Sequence, residues 1–409
     1  MTQRLITVVD RSERLLHLDV LRGFALFGIL LVNFEWFVRP LQAIATGAEP
    51  GLAGADLVAD VAVRVLAEGK FYPLFSMLFG AGFALMFERA RARHAPFWGL
   101  YLRRLFLLML FGLGHMLLVW AGDILLVYSL TGFVMVLFFR NTPTRRLWKW
   151  ALAFIVLPVL LIGLMTAAFE LARFDPALAE EIQADMMTDH ERFLDGISEA
   201  AVIMREGSYL DNVAQRLRDM RFTLSHAFFW VPPILGFFLI GRWLIVTGRL
   251  TQPDQHRMYF RRWRSRGLLL GLPAAGLSVW LLHGAVMTMP SSSLVLGMAL
   301  ATAAGVMLSL AYLSMVILGA DRLKFLAPAG QMALSNYLMQ SLLWTWILYG
   351  HGLGMIGYFS RSAQVLGAIV FFAGQLLLSH WWMGRFRLGP AEWLWRSLTY
   401  WKLQPLSRD

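Results

Sequence analysis

The chain has 409 residues, of which 58% are apolar and 15% charged, with a net charge of +11 and no cysteine. A soluble domain carries about 25% charge, so this composition and a mean hydropathy of +0.58 exclude a soluble globular protein. The lack of cysteine excludes disulfides, thiolate nucleophiles and Cys-ligated metal or iron–sulfur centres.

The basic residues recur in short clusters between apolar runs. That is a topology signal under the positive-inside rule rather than a nucleic-acid surface. Arg4, Arg11, Arg14 and Arg22 place the N-terminal segment in the cytoplasm, and a first helix is expected over 20–38. The Ala43-Ile44-Ala45 stretch resembles a cleavage site, but Asn33, Trp36 and Phe37 mark a retained helix. The mixed-charge loop 39–70 falls outside, and a second helix follows over 71–87. Arg89, Arg91, Arg93, Arg103 and Arg104 bring the chain back inside.

Residues 103–139 read as two apolar runs around a short Ala-Gly-Asp break. They predict a helical hairpin with His115 inside its first arm and Asp123 at its outer turn. A fifth span is expected over 147–169. The acidic stretch 170–225 has apolar residues at helical spacing, such as Ile182, Met186, Phe193 and Ile197. It predicts two or three extracytoplasmic helices, either a plain connector or a lid over a site. Five more spans are expected over 226–246, 267–287, 294–318, 332–349 and 363–383. The tail, with Trp393, Trp395, Tyr400 and Trp401, suits an interfacial helix.

The expected fold is therefore all-α and polytopic, with about ten transmembrane helices in a 5+5 arrangement. Both termini are cytoplasmic and one long helical insertion lies outside. The division is 1–169, 170–225 and 226–409. Membrane lipids are the expected neighbours of this multi-pass chain, with no nucleic-acid partner, and an oligomer is left open.

Counting about 1.5 Å per residue from the basic boundary puts Asn33, His115 and Gln340 at one depth, roughly 16 Å into a core about 30 Å thick. Buried polar groups at mid-membrane either join helices by hydrogen bonds or mark a site. Glu35, Lys70, Tyr72 and Asp123 lie near the outer boundary. Asp19, Arg22, Asn336, Glu392 and Arg396 lie near the inner one. Asp19 and Arg22 are one turn apart and suit an ion pair. Gly80, Gly82, Gly112 and Gly114 suit close helix packing.

A neutral His115 can act as general base on a hydroxyl or amine, and Asn33 can stabilise an oxyanion. Asp123 lies eight residues beyond His115, about 12 Å higher on a continuous helix. That is too far to orient the ring, so Asp123 reads as a substrate contact or a helix cap. No P-loop, nucleophile elbow, dinucleotide fingerprint or metal-spaced histidine pair is present.

Five motifs, LDVLRGFALFGILLVN, KFYPLFSMLFGAGFAL, GHMLLVWAGDILLVYSLTG, GQMALSNYLMQS and GPAEWLWRSLTY, together resemble the YeiB-like family of bacterial inner-membrane proteins. The first motif is also similar to the opening of the heparan-alpha-glucosaminide N-acetyltransferase group. In that group Asp19, Arg22, Gly23 and Asn33 have counterparts, but its catalytic histidine between Asn33 and Lys70 is missing here. It is similar as well to the acyltransferase-three group, in which Asn33 stands where a histidine is expected.

The resemblance implies a transmembrane acyltransferase in the bacterial cytoplasmic (inner) membrane. Its donor would be an acyl-CoA or acetyl-CoA, with phosphates near Arg22, Arg103 and Arg104. Its acceptor would be an envelope glycan or lipid headgroup, contacted by Asp123, Lys70, Tyr72 and Gln340. The family's histidine has no counterpart here, so on the residues' own chemistry His115 would substitute as the base and Asn33 as the polar stabiliser, with no metal. A secondary transporter or flippase is the alternative, because 5+5 spans with mid-membrane polar groups suit alternating access.

Overall fold

A computed structural model describes residues 15–407, apart from 48, 50, 284, 286–288 and 290. Arg4, Arg11 and Arg14 thus lie outside the described residues. The described chain is helical from end to end, with one isolated bridge between Phe386 and Ser407.

The helices are α1 (Leu16–Val38), α2 (Gly54–Leu66), α3 (Phe71–Ala92), α4 (Trp98–Leu118), α5 (Leu125–Val134, continued by a π turn Met135–Phe139), α6 (Thr144–Ala172), α7 (Pro176–Glu206) and α8 (Tyr209–Ser225). They continue as α9 (Ala227–Val246), α10 (Arg257–Leu282), α11 (Ser292–Leu318), α12 (Ala327–Gln331), α13 (Ala333–Leu348), α14 (Arg361–Arg385) and α15 (Pro390–Tyr400). Each of the ten expected spans falls on one helix, although the span expected over 267–287 ends on residues 284 and 286–287, which lie outside the described residues. Among the described residues eight segments are long and apolar enough to cross a membrane, while 125–139 and α13 are shorter apolar helices. The protein is an all-α, multi-pass membrane protein.

Helix α1 is the hub. It packs against α3, α11, α12, α13 and α14, and Leu21, Ala25, Leu26, Leu30 and Phe37 are fully enclosed. Helix α6 is the opposite case, with Leu152, Leu160, Leu164 and Met165 exposed. An outward apolar face of this kind suits hydrocarbon, where only the helix's own backbone bonds are needed. Helices α3 and α9 cross at two glycines. A Cβ on Gly80 would lie 1.9 Å from Phe238 O, and one on Gly241 would lie 1.8 Å from Met77 O, so small residues set this contact.

At the end away from the basic loops, α2 carries Asp60 and Arg64 into a buried ionic cluster. Arg361 of α14 bonds Glu35 of α1 at 3.1 Å and Asp60 at 3.0 Å. Arg64 bonds Glu35, Asp60 and Glu68, and Arg39 bonds Glu35. Three acids thus face three arginines, which keeps the buried charge balanced.

The acidic insertion forms two helices. Asp175 caps α7 by accepting from Ala177 N and Leu178 N. Ser208 and Asp211 form a capping box on α8. Helix α8 sits on the end of α4, where Leu118 O accepts from Arg216 at 3.1 Å and from Tyr209 Oη at 2.8 Å. One of the carbonyls that a helix C-terminus leaves unpaired is satisfied in this way.

Candidate functional site

Helix α4 ends at Leu118 and the chain turns back through 119–124. Close passage of α5 is possible because Gly112 has no side chain; a Cβ there would lie 2.3 Å from Leu126 N. The turn carries Asp123 down beside His115. Its Oδ1 lies 2.8 Å from His115 Nδ1, and its Oδ2 accepts from Leu126 N at 2.8 Å, capping the first turn of α5.

This corrects the sequence expectation that Asp123 stands too far from the imidazole. That count ran a straight helix through a point where the helix stops. The capping role expected as an alternative is present. Asp123 is a carboxylate acceptor, so the neutral ring places its proton on Nδ1 and leaves Nε2 as the basic nitrogen. Among the described residues His115 Nε2 is buried with no hydrogen-bond partner.

A cavity of about 300 Å³ opens below this pair, towards the basic loops. Arg22, Arg89, Arg93, Arg104 and Arg396 line it together with Asp19 and Glu392, so arginines outnumber acids five to two. Its inner walls are apolar, including Leu26, Ile29, Phe75, Phe79 and Leu108, and its far end is closed by Ile124, Leu125, Tyr128 and Tyr337. The Tyr337 ring lies 5.3 Å from that of His115, and Tyr337 Oη accepts from Ile124 N at 3.3 Å. Tyr128 Oη donates to Tyr72 O and pairs with Ser76 Oγ. His115 and Asp123 do not line the open volume; Tyr337 stands between.

Several elements position the mouth. Arg22 pairs with Asp19 at 2.6 Å, as its spacing predicts. Arg104 lies 3.8 Å from the Trp395 ring centroid, and Trp395 Nε1 donates to Arg104 O. Helix α15 is thereby clamped onto α4. Glu392 accepts from Leu334 N at 2.7 Å and from Ser335 N at 3.2 Å, capping α13. Burial raises its carboxyl above the usual range, and the hydrogen bonds from Ser335 and Leu334 partly offset this.

The remaining sequence candidates are placed as follows. Asn33 is half-buried and lies one turn past Ile29 on the cavity-facing stripe of α1. Gln340 lies one turn past Tyr337 on α13, but its Nε2 donates to Gln375 Oε1 of α14 at 2.8 Å. Asn336 donates to Ser379 of α14 at 3.0 Å. These two amides join helices, as their i,i+4 spacing suggests. Asn33, His115 and Gln340 therefore lie beyond the closed end of the cavity and do not share an open chamber.

Lys70 is buried and donates to Arg64 O at 2.7 Å. Neither Lys70 nor Tyr72 lines the cavity. Arg103 also turns away from it, donating to Thr399 O at 3.0 Å and lying over Trp401. Gly80 and Gly112 serve close packing, whereas a Cβ on Gly82 or Gly114 would meet no atom within 4 Å.

Tyr337 and Tyr128 escaped the sequence reading because tyrosine in an apolar run resembles core. The one available signal was the position of Tyr337, a turn before Gln340. Among the described residues no group of three or more His, Cys, Asp or Glu is arranged to hold a metal ion.

A family model described as "Protein of unknown function (DUF418)" matches residues 244–402. The chain is 34% identical to "Uncharacterized protein YxaH" of Bacillus subtilis, with 97% of each chain covered. It is 30% identical to "Uncharacterized protein YeiB" of Escherichia coli, covering 95% of this chain and 96% of the relative. It is 26% identical to an uncharacterized 39.9 kDa protein of Bacillus acidopullulyticus, over 95% of this chain and 94% of the relative. No solved structure matches the chain. Near-complete coverage at these identities means that the chain belongs to the YeiB-like family of membrane proteins.

Proposed function

We propose that the protein is an acyltransferase of the bacterial inner membrane. It takes an acyl group from a cytosolic acyl-CoA and passes it to a hydroxyl or amine of an envelope glycan or lipid headgroup. One observation carries the reading: a cavity that starts at five arginines ends at Tyr337, whose ring touches an imidazole held by a carboxylate. Arginine suits phosphate, through fixed and charge-assisted hydrogen bonds. From Arg104 to His115 the helix rises about 16 Å, a span for the thioester-bearing arm of the donor.

His115 Nε2 accepts the proton of the acceptor group as its oxygen or nitrogen attacks the thioester carbon. The carbon–sulfur bond breaks, and the proton passes from Nε2 to the departing thiolate. Asp123 holds the ring and balances the imidazolium, and Asn33 is the amide assigned to the oxyanion. Tyr337 has to swing aside for donor and imidazole to meet. The acceptor enters from the α8 side.

Acetyl-CoA-dependent labelling of envelope material by the purified protein tests the reading. Labelling that persists unchanged in a His115→Ala variant removes His115 from the mechanism. The transporter alternative draws on the closure of the α8 end opposite an open basic end, which suits one state of alternating access. Uptake into liposomes with no acyl donor present would favour it.

A further inference from the structure

Helix α3 lines the cavity from Phe75 at its closed end to Arg89 at its mouth, where Arg93 follows just past the helix end. Gly82 lies midway, about 10 Å from Phe75 and from Arg89 along the axis. Phenylalanines 75, 79 and 83 fill the neighbouring positions of the same wall. Glycine inside a helix is destabilising relative to alanine, and it is usually retained there for close packing. Gly80 has that reason, since a Cβ there would strike the α9 backbone, but a Cβ on Gly82 would meet nothing within 4 Å. The space at Gly82 belongs to the cavity.

We infer that Gly82 gauges the cavity: its missing side chain leaves the width through which a slender, unbranched chain on a phosphate-bearing head passes from the arginine mouth towards Tyr337. The inference rests on the donor reading above for the nature of the occupant. The charge at the mouth supplies the complementarity. A phosphate head is shared by coenzyme A thioesters and by single-chain phospholipids, so both serve as probes. A side chain bulkier than that of cysteine at position 82 projects into this passage and obstructs it, without touching the arginines.

The chain has no cysteine, so a Gly82→Cys variant carries a single thiol that can be blocked after folding. Full-length protein in detergent is titrated with acetyl-CoA and with a lysophosphatidate, before and after treatment with a water-soluble methanethiosulfonate. Binding is expected to be intact before treatment and in Gly82→Ala. After treatment it weakens by at least about tenfold, and bound ligand slows the modification.

Unchanged binding after modification, or a thiol that water-soluble reagent cannot reach in the folded protein, overturns the inference and leaves the donor reading standing. Gly82-dependent binding of lysophosphatidate alone keeps the inference and removes the acyl-CoA donor. Failure of the parent protein to bind either probe overturns both.

Discussion

Asp123 Oδ1 lies 2.8 Å from His115 Nδ1, although eight residues and the end of a helix separate them. The contact depends on the chain reversing at 119–124 and on Gly112 letting α5 lie against α4. The same carboxylate caps α5 through Leu126 N, so one side chain fixes both the ring and the next helix. With Nδ1 committed, the unpartnered Nε2 is the nitrogen available for chemistry.

Replacing Asp123 by Asn separates these two duties. Asn is a good helix cap, so the α5 turn and the thermal stability should change little. The imidazole loses its carboxylate and its fixed tautomer, and kcat should fall by about 10²–10⁴ with donor KM near that of the parent. Steady-state transfer kinetics alongside a melting curve check this. An equal loss in KM and in melting temperature would reduce Asp123 to a structural residue.

The ten spans were legible because each is an apolar run between basic or turn-rich segments, a pattern that survives without tertiary information. The Asp19–Arg22 pair and the helix-joining amides Asn336 and Gln340 were legible for a similar reason, since i,i+3 and i,i+4 neighbours share a face. What escaped depended on where helices stop or on contacts far apart in sequence. A rise per residue cannot reveal that α4 ends at Leu118. Nor does any local pattern join Glu35 to Arg361, 326 positions away. Helix α2 lies within the loop expected over 39–70, and its mixed charges disguise it because they serve a buried cluster rather than a solvated surface. Arg103 and Arg104 look alike in sequence, yet only Arg104 lines the cavity.

That last difference gives a paired test. Arg104→Gln should weaken donor binding by about 1.5–3 kcal/mol, the range for hydrogen bonds to charged groups, with kcat less affected. Arg22→Gln should act in the same direction, and added salt should shrink both effects. Arg103→Gln should leave donor affinity unchanged, because its guanidinium bonds Thr399 O. Titration of the purified protein with acetyl-CoA at two ionic strengths reads all three.

The buried cluster makes a stability prediction. Arg361 bonds both Glu35 and Asp60, with its side chain 2% exposed. Arg361→Met leaves Glu35 and Asp60 paired only with Arg39 and Arg64, puts the buried cluster one positive charge short, and should cost about 3–5 kcal/mol. Adding Glu35→Gln should recover part of that loss, because the second substitution restores the charge balance of the cluster. Thermal unfolding in detergent of the single and double variants measures the recovery. Additive losses would contradict the coupling.

A pH effect is expected where α8 is seated. Burial raises the Asp219 carboxyl above its ordinary range, only partly offset by hydrogen bonds from Gln215 and Gln42. A raised acid binds its proton more tightly in the closed form. Its contribution is therefore full below the ordinary aspartate value and is lost as pH rises through the raised one. Asp211, held low by Ser208, acts oppositely and is lost only as pH falls below the ordinary range. His351 is held low by burial and by Arg216, so it too favours closure at higher pH. Comparison with Asp219→Asn isolates the one group. An Ala121→Cys variant places a thiol in the small outer pocket beneath α8, and its modification rate, normalised to a free peptide thiol, reports opening. From about pH 5 upwards, where an ordinary aspartate is already ionised, the rate should climb more steeply with Asp219 than with Asn in its place. Parallel profiles would mean that Asp219 does not titrate with the movement of α8.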